Sequence, residues 1–406
     1  MNIPKLRFKD NNDNDYPNWV NSTIGKSGYF YYGKSAPKWS ITDTATTPCV
    51  RYGELYTTHN IIVKKIYSYT NIPKENLKFS TGNEVLVPRV GEEPLDFCKC
   101  CYLPFKDVAI GEMISVYNTK NNPLFISYMF NGTMKYKFAR LVEGGNVSNL
   151  YYSYLENISI NLPCLEEQKK IANFLSTVDK KMTNLENTIT SLENQKKGLL
   201  QQIFSQKLRF KDKNGNNYPN WEKKKLGDIG SFSRGGNLSK SDLSKKGTSC
   251  ILYGELYTYY NEFATEIKSK TLNTTNLVLS KKYDVLLPLS GETAEDISTC
   301  TCIFFDDIAL GSDLLIFRSS FFDGRFMSLL LKYKYKYKIA QIAQGKSIVH
   351  ISEKNIKNIN IKIPCIEEQQ NIADFILIFT KKLENQKAQL EHWKQIKKGL
   401  LQQMFV

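Results

Sequence analysis

The two halves of this chain repeat one another. Lys5-Leu6-Arg7-Phe8-Lys9-Asp10 recurs as Lys207-Leu208-Arg209-Phe210-Lys211-Asp212, and Tyr16-Pro17-Asn18-Trp19 recurs as Tyr218-Pro219-Asn220-Trp221. Tyr52-Gly53-Glu54-Leu55-Tyr56-Thr57 returns as Tyr253-Gly254-Glu255-Leu256-Tyr257-Thr258. Val85-Leu86-Val87-Pro88 and Gly91-Glu92 match Val285-Leu286-Leu287-Pro288 and Gly291-Glu292. The offset stays between 200 and 202, and residues 163–204 share 19 identities over 42 ungapped positions with 364–405. A solenoid unit is only about 20–50 residues long, so this period means two copies of a whole domain with an appendage. Such a chain can carry an internal pseudo-two-fold, as symmetric DNA binders do when they match paired half-sites.

The appendage reads as a long helix. In the first copy Ile171, Leu175, Val178, Met182, Leu185, Ile189, Leu192, Leu199 and Ile203 follow steps of four and three, and only Lys196 breaks the seam. In the second copy the seam runs Ile372, Ile376, Phe379, Leu383, Leu390, Trp393, Leu400 and Met404, with Gln386 and Lys397 as its polar members. A heptad repeat sustained over several turns predicts coiled-coil packing rather than the broader stripe of a helix covering a domain. Pro163 and Pro364 sit where helices begin, and Glu166-Glu167 and Glu367-Glu368 place negative charge at the N-terminal dipole. About 40 residues at 1.5 Å each give a rod of roughly 60 Å.

The segments between, 20–160 and 222–362, are rich in Tyr, Thr, Ile and Val, with short apolar runs punctuated by Gly and Pro. They read as short strands, with helices around 122–142 and 323–343. Lys207 to Trp221, with Asn214-Gly215, is the polar joint. The division expected is 1–162, a first globular domain; 163–206, a first helix; 207–363, a second globular domain; and 364–406, a second helix.

Charge points to the partner. Lys and Arg number 55 against 40 Asp and Glu, a net of +15. The two helical segments hold six Lys and five acids each, so +13 of that excess lies outside them. A balance this basic implies a polyanion, most often nucleic acid. No apolar run approaches the roughly 18 residues that span a bilayer, and the start lacks an apolar signal core, so a cytoplasmic protein is expected. In that setting the nine cysteines are not a disulfide scaffold.

No catalytic constellation emerges. His59, His350 and His392 are the only histidines, and neither His59 nor His350 has a histidine counterpart in the other copy. Cys98, Cys100 and Cys101 lie near the places of Cys300 and Cys302, and Cys49 matches Cys250. Their spacing is not that of a zinc site, so buried structural thiols are expected and no metal. Ala340 to Ser347 fits a relaxed phosphate-loop pattern but lacks the strand-then-helix setting that pattern needs. Acid-x-Lys pairs (Glu167-Lys169, Glu222-Lys224, Glu266-Lys268) have no partner Asp in sequence. The run Lys332 to Lys338 alternates Lys and Tyr; as a strand it would be a DNA stripe, as a helix a solvated basic face that touches phosphate.

Ile160-Asn161-Leu162-Pro163-Cys164-Leu165-Glu166-Glu167-Gln168-Lys169-Lys170-Ile171-Ala172 and its repeat Ile361-Lys362-Ile363-Pro364-Cys365-Ile366-Glu367-Glu368-Gln369-Gln370-Asn371-Ile372-Ala373 resemble the Ile-Pro-Leu-Pro-x-x-x-Glu-Gln-x-x-Ile-Ala element of the specificity subunits of Type I restriction-modification systems. The helix ends Lys196-Lys197-Gly198-Leu199-Leu200-Gln201-Gln202 and Lys397-Lys398-Gly399-Leu400-Leu401-Gln402-Gln403 are similar to that family too, as are Pro219-Asn220-Trp221 before Lys225-Leu226-Gly227-Asp228-Ile229. Asn161 and Lys362 stand where the family usually has Pro, and Cys164 and Cys365 replace another.

The resemblance implies an α+β chain: two tandem mixed, strand-rich target-recognition domains, each followed by a long helix, the two helices pairing as an intramolecular antiparallel coiled coil. It implies a non-catalytic subunit whose domains each read one half of a split, asymmetric target in double-stranded DNA. The helices would set the spacing and dock two modification (methyltransferase) subunits, and restriction (translocase and nuclease) subunits can join. S-adenosylmethionine, ATP and Mg2+ would serve those partners, with no cofactor or metal bound here and no membrane involved. Arg or Lys to guanine and Asn or Gln to adenine are the expected readers. The candidates in polar loop segments are Lys34, Lys38, Arg51 and Arg89 in the first domain, and Arg234, Lys240, Lys245, Lys246 and Lys281 in the second. The alternative left open is a coiled-coil scaffold that organises proteins without reading DNA; a subunit of a fused methyltransferase-nuclease system comes third.

Overall fold

The computed structural model describes residues 4–91, 93–144, 148–345 and 349–405. Gly145 and Asn146, the counterparts of the phosphate-loop pattern, and Lys346 and Ser347 of that pattern lie outside the described residues, as does Glu92 of the repeated Gly-Glu pair. The chain forms two compact units. One comprises residues 1–186 with 388–406, the other residues 187–387. Each unit is thus a strand-rich lobe, the start of the helix that follows that lobe, and the end of the other long helix.

In the first lobe the central sheet runs Gly28–Tyr32, Ile114–Thr119, Glu84–Pro88, Cys101–Leu103, antiparallel throughout. A second sheet orders Ser68–Thr70, Thr47–Val50, Lys106–Ile110 and Phe79–Thr81, with Thr47–Val50 and Lys106–Ile110 parallel. The short apolar run Val85-Leu86-Val87 is a central strand because both of its faces are covered, and all three side chains are fully buried. Each such side chain stabilises the lobe by about 1.5–3 kcal/mol. The second lobe repeats the plan: Ser231–Arg234, Leu314–Arg318, Val285–Pro288, Thr301–Ile303 and Phe263–Ala264 form its central sheet.

The helices expected around 122–142 and 323–343 are Pro123–Asn131 with Lys135–Ala139, and Gly324–Tyr333 with Lys336–Gln341. The first of each pair starts on an acceptor: Asn122 caps the N–H of Phe125, and Asp323 those of Arg325 and Phe326. Lys332 to Lys338 is therefore helix and turn, not strand. Three of its lysines make internal contacts, Lys332 with Asn261, Lys334 with the Phe204 carbonyl and Lys336 with Glu295.

The long helices span Leu165–Phe204 and Ile366–Met404. They run antiparallel. In the second unit Glu193 pairs with Lys387 at 2.6 Å, and Lys196 with Thr380 at 2.9 Å. In the first unit Asp179 pairs with Lys397 at 2.6 Å. The seam divides into two kinds of position. Val178, Leu185, Ile189, Leu192, Leu383 and Leu390 are buried along the helices, and Met182, Phe379, Trp393 and Leu400 are half-buried. Ile171, Leu175 and Met404 belong to the core of the first lobe, and Ile203, Ile372 and Ile376 to that of the second. Leu199 is half-buried, and its neighbour Leu200 turns into the second core instead. Each lobe receives the far end of the helix from the other repeat in the same way. Phe405 packs on Phe125 at 5.2 Å between ring centroids, and Phe204 on Phe326 at 6.2 Å.

The repeated motifs hold one another. Arg7 donates to both carboxylate oxygens of buried Glu167 at 3.0 and 2.8 Å, and to the Pro17 carbonyl at 2.8 Å. Arg209 does the same with Glu368 at 3.0 and 2.6 Å and with Pro219 at 2.7 Å. These bonds raise both guanidinium pKa values. Gln168 donates to the Pro163 carbonyl and accepts from the Asn122 N–H; Gln369 does likewise with Pro364 and Asp323. The Glu-Gln pair at each helix start thus ties the Leu-Arg-Phe strap to the lobe helix.

Candidate nucleic-acid interface

The predicted cations scatter over both lobes. Lys34 and Lys38 are exposed around a turn in which Ser35 and Ala36 take positive φ of 62° and 58°. Arg51 is half-buried at the start of Tyr52–Thr57, its N–H on Glu54. In the second lobe Lys240 opens the turn Lys240–Asp242, and Lys245 and Lys246 lie exposed in the connection to Thr248–Ile251. Lys281 is exposed in the turn closed by Asp284, which itself pairs with Arg318.

Arg89 and Arg234 differ from the others because they stand on the same backbone frame of the two lobes, at different positions of it. In the first lobe Arg89 follows the strand Glu84–Pro88, its N–H bonded to Met113 at 3.0 Å and its carbonyl to the Leu150 N–H at 2.9 Å. Leu289 holds the same position in the second lobe, bonded to Asp313 at 2.7 Å and to Ile351 at 3.1 Å. Asn149 exchanges two backbone bonds with Glu143, and His350 exchanges two with Gln344. Tyr32 pairs with Ser115 across the sheet as Arg234 pairs with Leu315. Gly33 and Gly235, next in the chain, must be glycine: an added Cβ would lie 2.1 Å from the Gly111 carbonyl or 2.0 Å from that of Gly311.

On this common frame the side chains differ. In the first lobe the Arg89 guanidinium lies 4.5 Å from the Tyr32 ring centre and 5.5 Å from that of Tyr151. Its Nε has no hydrogen-bond partner among the described residues. In the second lobe Arg234, Asp313, His350 and buried Ser290 line a cavity of about 280 Å3. The Ser290 hydroxyl lies 2.9 Å from His350 Nδ1 and 3.0 Å from Asp313 Oδ2. This is not a hydrolytic triad, in which the acid orients the far nitrogen of the histidine; here both groups converge on the serine. Sequence reasoning selected the two arginines and missed His350, Ser290 and Asp313. Only the absence of a histidine opposite His350 in the first copy hinted at it.

The cysteines are interior packing. Cys49, Cys98, Cys100, Cys101, Cys250, Cys300 and Cys302 are all buried. Burial pushes the Cys101 and Cys300 thiols up to about 12, and Cys98 to about 11. The strand register refines their correspondence: Val285 faces Cys302 where Val85 faces Tyr102, so Cys300 answers to Cys100, and Cys98 has no cysteine opposite. Glu222 and Lys224 pair with one another on an exposed strand. His59 is half-buried, and burial lowers its pKa.

Both repeats match the family model described as the Type I restriction modification DNA specificity domain, over residues 8–194 and 218–392. The chain belongs to this family. It is a specificity subunit of a type I restriction-modification system, and its function is the recognition of DNA sequence. The specificity subunit is 25% identical over 317 residues to the type I restriction enzyme MjaVIII specificity subunit of Methanocaldococcus jannaschii, covering 74% of each chain. It is 26% identical over 298 residues to the putative MjaX specificity subunit of the same organism, covering 70% of this chain and 67% of that one. Among solved structures it resembles in fold the S subunit from M. genitalium, with a TM-score of 0.64 at 17% identity over 99% of both chains. A second, from a study of complex assembly and conformational transition of the type I system, gives 0.55 at 14% identity over 96% of this chain and 98% of that one. Among the described residues no helix of the specificity subunit is long and apolar enough to cross a membrane.

Proposed function

We propose that each lobe reads one half of a split, asymmetric target in double-stranded DNA, and that the antiparallel helices hold the two readers at a set separation. Two modification subunits dock on the helices and methylate adenine with S-adenosylmethionine. Restriction subunits that use ATP and Mg2+ can join. This chain supplies recognition and no catalysis, binds no cofactor of its own and works in the cytoplasm. One observation carries the reading: two lobes share a backbone frame down to individual hydrogen bonds, yet present different side chains on it. Identical frames bind the same kind of ligand, and different side chains select different sequences of it.

Lysines and arginines on the lobes neutralise phosphates and set register, while a few side chains reach base edges. Co-expression with the cognate methyltransferase tests this. The two should co-purify, and binding of the complex to its methylated site should weaken with salt at about 0.9 log units per log unit for each phosphate contacted. A salt-insensitive protein assembly with no DNA preference would instead support a scaffold.

A further inference from the structure

The backbone frame that carries Arg89 in one lobe and, lining a cavity, Arg234 in the other has no role beyond the general reading of each lobe as a DNA reader. It matches bond for bond between lobes. Its side chains do not match at any of five corresponding places. Tyr32 answers to Arg234, Arg89 to Leu289, Val90 to Ser290, Met113 to Asp313 and Asn149 to His350. At the strap and the helix start, structural duties kept the same residue type in both copies, as Arg7 and Arg209 or Gln168 and Gln369 illustrate. A surface whose frame is fixed and whose chemistry has changed at these five places is doing a different selective task in each lobe.

We infer that this frame is the base-reading site of each lobe: Arg89, held against Tyr32 and Tyr151, reads the first half-site, and Arg234, His350 and Asp313 read the second. The inference rests on the proposed split target and assigns its readers.

The chemistry differs in kind. Arg89 is half-buried against two aromatic rings, its buried Nε without a partner among the described residues, which leaves only the outer guanidinium nitrogens to face a ligand. A guanidinium held rigid in this way loses little entropy when it forks onto guanine O6 and N7. The second-lobe cavity mixes donor and acceptor. Arg234 is exposed, and its guanidinium has no ion-pair or hydrogen-bond partner among the described residues. Ser290 holds the Nδ1 side of His350, and Asp313 is exposed at a positive φ of 57°. A carboxylate in that place accepts from an exocyclic amine of cytosine or adenine, while Arg and His donate to purine acceptors. Lys245 and Lys246, exposed and not among the residues that line the second-lobe cavity, are assigned to phosphate.

The test uses the full-length chain in complex with its methyltransferase. Competition binding is measured on duplexes carrying the methylation site of the host genome, intact or with single base changes in one half or the other. R89L and the pair S290V and H350N place in each lobe the residues of the other. R89L should lose roughly 5- to 150-fold of discrimination against base changes in one half-site and none in the other, the range of one bidentate contact. S290V/H350N should do the reverse, and R234A, at an exposed strand end, gives the same readout should that pair not assemble. K245A/K246A should weaken all duplexes equally. Unchanged discrimination at both half-sites in R89L and in the second-lobe variants overturns the assignment of this frame. A wild-type complex indifferent to changes in either half overturns the split-target reading instead.

Discussion

Lys196 sits in the apolar seam of the first long helix with its ammonium on the carboxylate of Glu262, a residue of the second lobe with no exposed surface. Thr380 of the opposite helix completes the site by accepting from Lys196 at 2.9 Å. The corresponding lysine, Lys397, finds its acid elsewhere: Asp179, on the helix, at the position of Thr380. Tyr128 donates to that Asp179 at 2.7 Å, and Ile61 occupies the place of Glu262. Two equivalent lysines are thus neutralised from opposite sides.

Removing the ammonium should be costly, because it leaves Glu262 charged and dry. K196M is expected to lower the stability of the second unit by about 3–5 kcal/mol in urea unfolding. Removing both charges with K196M/E262L should recover much of that loss, since the desolvation of two ions is then also avoided. K397M should cost less than K196M, because Asp179 is more exposed and keeps the Tyr128 hydroxyl.

Acid should act through the same pair. Burial works to raise the Glu262 carboxyl, but the charge and hydrogen bond of Lys196 outweigh it and hold the group below its ordinary range. A lowered folded-state pKa means that the unfolded chain takes up the proton first. The stabilisation is therefore present above the ordinary glutamate pKa of about 4.3 and is lost as pH falls through the lower folded value. Urea midpoints measured from pH 7 down to 3 should fall less steeply for E262Q than for wild type.

The strap arginines offer a third test. R209A removes two charge-assisted bonds to buried Glu368 and one to the Pro219 carbonyl. About 1.5–3 kcal/mol of stability should go with each lost charged contact that is not replaced by water. R209K should recover only part of it, because an ammonium cannot span both carboxylate oxygens. Differential scanning calorimetry of the two variants reads the difference.

Thiol chemistry should separate the cysteines into two groups. The seven buried thiols are shielded, and Cys101 and Cys300, pushed up by burial to about 12, hold almost no thiolate at neutral pH. Cys164 and Cys365, half-buried at the elbows before the long helices, are reachable. Iodoacetamide labelling of the native chain, followed by mass spectrometry, should modify Cys164 and Cys365 first and the other seven only on unfolding.

Much of the architecture was legible in the sequence because it rests on local periodicity and on repetition. The heptads gave the two helices, the duplicated Leu-Arg-Phe and Glu-Glu-Gln motifs gave the two units, and the apolar runs gave the central strands. Lys196 read as a flaw in the seam because its partner Glu262 is 66 residues away, with nothing local to signal the pairing. Leu200 replaced Leu199 at the core because the helix end docks into a lobe there and no longer follows its neighbour helix. The base-reading site was half legible. Arginine is the commonest reader of guanine, so Arg89 and Arg234 stood out by type. His350, Ser290 and Asp313 come from three separate segments up to 60 residues apart, and only the fold brings them together.

The position of adenine methylation in the host genome tests the split-target reading most directly. Single-molecule sequencing of host genomic DNA, with and without this gene, should show one bipartite motif that vanishes on deletion, its two specified halves different and separated by unspecified bases. A continuous motif, two identical halves, or methylation unaltered by the deletion would contradict it.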